Sequence, residues 1–168
     1  MSLDAIKELR ELTNCGIVDC KKALEQAGGD LNKAKELLRE KGLQMALKKA
    51  SRAAREGRIE AYVHNGNKIG VVVEVNCETD FVARNEAFIQ CSKDLAMHIA
   101  AMAPAYLKKE DVPADVIAGG ADTAALCLLE QPFVKDTSRT IQDLLNELVA
   151  KIGENIVIGR FVRYKIGE

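Results

Sequence analysis

Few side chains in this sequence could do acid–base or nucleophilic chemistry. There are two histidines, His64 and His98, and five cysteines. A histidine titrates near neutral pH and a thiolate is a strong nucleophile, so Cys77 with His98 could form a catalytic pair. No serine-hydrolase, zinc-protease or cysteine-protease signature accompanies this pair. The sequence therefore favours a protein without catalytic residues, and a Cys/His enzyme is the weaker alternative.

The patterns that bind metals and nucleotides are missing from the sequence. The cysteines have no C-x-x-C spacing, which zinc sites and thioredoxin motifs need. The acidic residues lack EF-hand spacing, and neither common glycine-rich phosphate loop occurs. We therefore expect no cofactor, no bound metal and free thiols in a reducing compartment. The five cysteines are Cys15, Cys20, Cys77, Cys91 and Cys127.

The most informative segment is residues 74–85, which reads EVNCETDFVARN. An apolar run at residues 69–75 predicts a strand that leads into this polar turn. Only 4% of the residues are aromatic, so a phenylalanine beside a carboxylate in a polar turn is not ordinary core filling. An exposed aromatic ring can act as an anchor in a partner's pocket. The pattern predicts that Asp80 and Phe81 are offered to another molecule.

The composition indicates a soluble protein of one or two small domains. The chain has 168 residues, 48% of them hydrophobic, and a net charge of −1. A nucleic-acid binder is normally strongly basic, so we expect no direct nucleic-acid binding. There is no run of about 18 apolar residues that could span a membrane. The polar N-terminus lacks a secretion signal, so we expect a cytoplasmic protein.

Residues 3–54 have the periodicity of helices throughout. We expect Asp19 and Asp30 to cap the second and third helices, and Gly42 to end the third. Residues 43–57 are rich in lysine, arginine and alanine, which predicts a linker helix with a basic face. Three short helices form a small bundle that is more typical of a docking module than of an enzyme. The first helix carries an apolar stripe of Leu3, Ile6, Leu9 and Leu12.

From residue 58 onward, the spacing of the apolar residues changes from that of helices to that of strands. Residues 59–64 and 68–75 predict two strands joined by the turn Asn65-Gly66-Asn67, a strong hairpin signal. Residues 87–102 predict an apolar helix that ends before Pro104. Residues 108–125 lose periodicity, which predicts a loop or linker.

The last part of the chain completes an α+β domain. Residues 131–134 predict a short extended piece. Thr140 can cap a helix that ends at Gly153, and residues 155–164 predict a final strand. Helices flanking a three-stranded antiparallel sheet give an α+β core.

Four separated blocks carry a resemblance to the elongation factor Ts family, and they occur in the family's order. They include LRELT at residues 9–13, DCKKAL at 19–24, the whole of 74–85 and QPFVKD at 131–136. The complete blocks are residues 9–16 with 19–24 and 29–30, 38–42 with 48–50, 74–85, and 128–136 with 150–156. The chain resembles the short bacterial form of the family.

This resemblance implies a fold, a partner and an activity. It implies a ubiquitin-associated-like (UBA-like) three-helix domain with its linker helix at residues 1–54, and an α+β core, or dimerisation, domain at residues 55–168. It also implies a guanine-nucleotide exchange factor for elongation factor Tu, which disturbs the Mg²⁺ and phosphate site of that GTPase and promotes GDP release during translation. The implied Mg²⁺-dislocating contacts are Thr79, Asp80, Phe81 and Val82. The implied contacts from the N-terminal domain are Leu9, Leu12, Ile17 and Val18, although Leu9 and Leu12 suit the core of the bundle equally well.

The sequence departs from the family pattern in two places. Asn14 stands where the family usually has a glycine, and asparagine tolerates the left-handed backbone that glycine supplies. Residues 114–125 look abbreviated. Longer members carry a second core half, so the short form implies a possible two-fold homodimer.

Two other functions remain open from the residues alone. One is a UBA-like interaction protein with no exchange activity, which would leave residues 79–82 without a role. The other is RNA binding through the basic face of the linker helix. No aromatic residues interleave with those basic residues to stack on bases, which favours an ordinary solvated face. The basic residues in question are Lys48, Lys49, Arg52 and Arg55.

Overall fold

The computed structural model describes residues 2–13 and 15–168, so the backbone expected of Asn14 lies outside the described residues. The chain folds as two compact units. The first contains the chain up to Arg52 together with Asn146–Asn155. The second contains Ala53–Leu145 and Ile156–Glu168. The return of residues 146–155 to the first unit is a feature that the sequence did not reveal.

Three helices form most of the first unit: α1 (Leu3–Thr13), α2 (Ile17–Gln26) and α3 (Leu31–Lys49). Asp30 caps α3 as predicted, because its carboxylate accepts hydrogen bonds from the backbone N–H groups of Asn32 and Lys33. The helices are held by a small apolar core. The fully or nearly fully buried members of that core are Leu9, Cys20, Ala23, Leu24, Ala34 and Leu38.

Two of the predicted helix ends in this unit are wrong. Gly16, not Asp19, is the N-cap of α2, and Asp19 lies within the first turn, where its carboxylate pairs with Lys41 at 2.6 Å. Gly42 does not end α3, which continues to Lys49. A glycine inside a helix costs only about 1 kcal/mol relative to alanine. A Cβ on Gly42 would lie 3.5 Å from the backbone oxygen of Asn146, which is an ordinary van der Waals contact, so this position would also accept alanine.

The second unit is built on a three-stranded antiparallel sheet of order β1-β2-β5. Its strands are β1 (Glu56–Val63), β2 (Ile69–Cys77) and β5 (Val157–Lys165). The predicted hairpin turn is confirmed by the hydrogen bond from the His64 N–H to the Ile69 carbonyl at 2.9 Å. Helix α5 (Glu86–Met102) packs against β1 and β2, and the α+β class is therefore confirmed.

The remaining elements are short. Residues 108–125, expected to be loop or linker, contain a 3₁₀ turn and helices α6 (Ala114–Ala118) and α7 (Thr123–Leu126). The predicted extended piece is strand β3 (Pro132–Phe133), which pairs with an unpredicted strand β4 (Asp136–Thr140). Helix α8 (Ile141–Ile152) begins after Thr140 and ends at Gly153, as predicted. Among the described residues, no helix is both long and apolar enough to cross a membrane.

Candidate partner-binding surface

The segment after β2 forms a single helical turn, α4 (Asp80–Ala83), where the sequence predicted a turn. Thr79 is its N-cap, and the Thr79 hydroxyl oxygen accepts a hydrogen bond from the Val82 N–H at 3.5 Å. Two residues later the chain enters α5, whose N-cap is Asn85. The exposed turn is therefore fixed between a sheet strand and a long helix.

Phe81 is the most exposed of the large apolar side chains in α4 and α5. Its side chain is 81% exposed, whereas Phe88, one turn into α5, is completely buried. Burying an aromatic ring is favourable, so a ring left in water on a fixed turn has no stabilising role in the chain itself. The contrast between the two phenylalanines supports an external contact for Phe81.

Asp80 lies beside Phe81 and forms an ion pair with Arg84. The Asp80 Oδ2 and Arg84 Nη2 atoms are 3.0 Å apart, and both side chains are well exposed. Exposed pairs of this spacing contribute little to stability, because water screens the charges. The carboxylate is therefore available to exchange its arginine for a group on a partner. Thr79 and Val82, on either side of these two residues in the chain, are both half-buried.

A tight backbone approach fixes the end of β2 from which α4 starts. Gly57 on β1 faces Asn76 on β2 and has φ = +150°. A Cβ at Gly57 would lie 2.2 Å from the carbonyl oxygen of Val75, far inside van der Waals contact. Only glycine fits there, because it combines that backbone conformation with the absence of a side chain. No pattern in the sequence indicates this role of Gly57.

The N-terminal candidate residues divide into two groups. Leu12, Ile17 and Val18 are each more than half exposed, at 54%, 56% and 65%. Leu9 is fully buried in the core of the bundle, which is one of the two places that the sequence left open for it. Leu9 thus supports α1 from inside, and the other three leave apolar side chains exposed to water. A contact with a partner remains a prediction for them.

Ile17 and Val18 also line an open groove of about 680 Å³ within the first unit. Leu38 and Met45 contribute further apolar surface to this groove. Its cationic side chains include Lys7, Arg10 and Lys151. The groove also contains the carboxylates of Glu11 and Asp19. A groove lined by apolar groups and by charges of both signs suits an amphipathic protein surface better than a small polar substrate.

The two residues of the possible catalytic pair are engaged in separate hydrogen bonds. His98 is fully buried, its Nδ1 accepts from the Val134 N–H at 3.2 Å, and its Nε2 lies 3.0 Å from Gln131 Oε1. Burial lowers the pKa of His98, while the hydrogen bond to Gln131 acts in the opposite direction. Cys77 donates its S–H to the Thr79 carbonyl at 3.1 Å. These contacts are structural in character.

The described residues contain no group of three or more His, Cys, Asp or Glu side chains that could hold a metal ion. The exposed Asp80 carboxylate and the exposed Phe81 ring on α4 are therefore the most distinctive chemical groups of the second unit.

Comparison with known proteins shows which family this chain belongs to. A protein-family model described as "Elongation factor TS" matches residues 6–125. Elongation factor Ts of Geobacter metallireducens is 51% identical over 197 aligned positions that cover 100% of this chain and 91% of the relative. The chain belongs to the elongation factor Ts family. Membership places the protein in translation elongation, and hence in protein biosynthesis.

Other family members match over the same extent. Elongation factor Ts of Desulforamulus reducens is 47% identical, with 100% of this chain and 90% of the relative covered. Elongation factor Ts of Caldanaerobacter subterraneus subsp. tengcongensis is 48% identical and is covered to 98%. The alignment with the latter runs over 195 positions, more than the 168 residues of this chain. The alignment therefore contains about 27 positions at which this chain has a gap (195 less 168).

Proposed function

We propose that the protein is a guanine-nucleotide exchange factor for elongation factor Tu. The observation that carries this proposal is the 81% exposure of Phe81 on a fixed turn, in a chain of the elongation factor Ts family. An aromatic anchor of this kind can contribute a few kcal/mol to a complex when a partner pocket covers it. The protein acts by binding and carries out no covalent chemistry of its own.

The proposed mechanism is thermodynamic linkage. Phe81 enters the GTPase near its nucleotide site, and Asp80, with Thr79 and Val82, engages the surrounding residues. The network that holds Mg²⁺ is disturbed, and because Mg²⁺ bridges the nucleotide phosphates, GDP is bound less tightly. A partner that prefers the empty GTPase to the GDP-bound form must weaken GDP binding by the same factor.

The proposal gives the N-terminal unit a docking role. Leu12, Ile17 and Val18 supply an exposed apolar contact that adds affinity without touching the nucleotide site. Leu9 takes part by holding α1 in place from the core. We assign these helices to the UBA-like domain and place the protein in the cytoplasm, where translation takes place.

The test is a GDP-release assay on elongation factor Tu loaded with a fluorescent GDP analogue. We expect wild-type protein to accelerate release, and Phe81→Ala to lose roughly 2 kcal/mol of the effect, about thirtyfold. Val134→Ala is a matched control, because Val134 is an exposed apolar residue at another position in the same unit. No acceleration by wild type, or full acceleration by Phe81→Ala, would overturn the proposal.

We also propose that the protein forms a homodimer that supplies the second core half of longer family members. One face of the sheet supports this, because it carries exposed apolar side chains on all three strands beside the ion pair of Glu74 with Arg160. These apolar side chains are Ile59, Val63, Val72, Val162 and Tyr164. Val72 at its centre lies opposite Ala61 on β1 and Val162 on β5. A two-fold axis would place two such faces against each other.

A further inference from the structure

Cys77 is the last residue of β2, and its side chain is completely buried. Its Sγ lies 3.1 Å from the carbonyl oxygen of Thr79, so the S–H donates to that oxygen. A buried thiol usually behaves as a small apolar group with a weak donor. Here the donor is directed at the residue that starts α4.

The Thr79 carbonyl is also the acceptor of a helical hydrogen bond. The N–H of Ala83 donates to it at 3.3 Å, and the Thr79 hydroxyl accepts from Val82. Thr79 has extended backbone angles of φ −130° and ψ 154°, as an N-cap should. The same peptide oxygen therefore joins the end of the strand to the start of the helix.

A helix of four residues, as α4 is, cannot hold itself together in isolation. Its orientation depends on its packing against β1 and β2 and on the groups that bond to its two ends. At the C-terminal end, the Asn85 N–H donates to the Val82 carbonyl at 2.9 Å. At the N-terminal end, the contacts include the Cys77 thiol and the Thr79 hydroxyl.

We infer that Cys77 is a positioning residue, whose thiol fixes the Thr79 carbonyl and so sets the direction in which α4 presents Phe81. The expected effect on GDP release rests on the proposed exchange function. The expected effect on the direction of α4 concerns this chain alone. Cys77 touches no partner, because it is fully buried. It acts through Thr79.

The variants Cys77→Ala and Cys77→Val both remove the donor, and valine keeps the space filled. Cys77→Ser keeps a donor on a shorter bond. Cys91→Ala and Cys127→Ala are the controls, because each removes a buried sulfur elsewhere in the same unit. They separate loss of the hydrogen bond from general loss of packing.

Two measurements are made on each variant: the maximal rate of GDP release at saturating exchange factor, and amide hydrogen exchange at Val82 and Ala83 in the free protein. We expect the donor-free variants to lower the maximal rate about threefold to tenfold, as for one hydrogen bond. Their Val82 and Ala83 amides should exchange faster by a similar factor. Cys77→Ser should recover part of the GDP-release rate and part of the amide protection. The control variants should change neither quantity.

If Cys77→Val had the same amide protection and the same rate of GDP release as the wild type, the inference would be overturned. So would equal losses in Cys91→Ala, since the effect would then be one of packing. If wild-type protein fails to accelerate GDP release, the proposed function falls. The amide protection of α4 still decides whether Cys77 positions the turn.

Discussion

Phe81 and Phe88 have the same side chain in opposite surroundings, one in water and one in the core. We expect Phe88→Ala to lower the free energy of unfolding by about 3–5 kcal/mol, since it removes a buried ring and leaves a cavity. We expect Phe81→Ala to change it by no more than about 0.5 kcal/mol. Urea unfolding of the two variants measures both. A large loss of stability in Phe81→Ala would mean that the ring has an internal role.

The thiols differ in how far water and reagents can reach them. Cys15 is only partly buried, whereas Cys20, Cys77, Cys91 and Cys127 are buried. Burial raises the pKa of Cys15, and it raises the pKa of Cys91 to about 12. Since alkylation requires the thiolate, we expect iodoacetamide to label Cys15 slowly and Cys91 only after unfolding. Peptide mass spectrometry during labelling gives the order, and early labelling of Cys91 would contradict the buried position.

His98 should make stability depend on pH. Its Nδ1 already accepts a hydrogen bond from the Val134 N–H. Protonation of Nδ1 would place a second N–H donor against that of Val134. Burial holds the pKa of His98 below its ordinary value of 6.5, so the folded state binds the proton less readily than the unfolded state. Stability is therefore fully present above pH 6.5 and falls as the pH drops through the folded pKa.

The measurement is the urea midpoint of wild type and His98→Gln from pH 7.5 to pH 5. Glutamine cannot titrate, so the fall below pH 6.5 should disappear in that variant even if its overall stability is lower. Hydrogen bonds from Asn76 and Arg160 lower the pKa of Glu74 from 4.5. Protonation of Glu74 therefore affects the stability only at a more acidic pH than protonation of His98. An unchanged pH dependence in His98→Gln would assign the fall to other groups.

At the scale of elements, local chemistry was enough to predict some ends and not others. The hairpin at Asn65-Gly66 and the α8 cap at Thr140 follow from turn and cap residues whose effect is local. Gly42 suits the end of a helix, but α3 continues to Lys49, and a Cβ at Gly42 would contact Asn146, which is remote in sequence. Helices α6 and α7 lie in a segment without clear periodicity. Tertiary contacts, rather than propensity, decide such positions.

Gly57 offers a test of how the strand that leads to α4 is held. We expect Gly57→Ala to destabilise the protein by about 1–3 kcal/mol or more, because of its backbone conformation and its collision with Val75. Gly70→Ala is the control, since a Cβ there meets nothing within 4 Å. Thermal unfolding of both variants distinguishes them, and equal midpoints would contradict the close approach.

At the scale of the molecule, the exposure of Phe81 could be predicted from the sequence, whereas the return of residues 146–155 to the first unit could not. Phe81 could be singled out because an aromatic in a polar turn is anomalous on local grounds alone. Leu9 could not be assigned, because a stripe at helical spacing serves a core and a surface equally well. The return of residues 146–155 to the first unit depends on long-range contacts, such as the hydrogen bond from Asn155 to the Arg52 carbonyl at 2.8 Å.

The proposed homodimer can be tested by placing a charge at the centre of the open sheet face. Val72 is exposed, and its neighbours in register, Ala61 and Val162, are small or apolar. A lysine at this position would bury a charge if two faces met, which costs several kcal/mol when the charge has no partner. We expect the wild type to have twice the 18.3 kDa mass of one chain, and Val72→Lys to have that of one chain.

Light scattering coupled to size-exclusion chromatography measures both masses. Ile117→Lys is the control, because Ile117 is about as exposed as Val72 but lies on α6. It should leave the mass unchanged. If Val72→Lys is a monomer and still accelerates GDP release at the wild-type rate per chain, one copy of α4 is sufficient for exchange. A monomeric wild type would overturn the proposed homodimer.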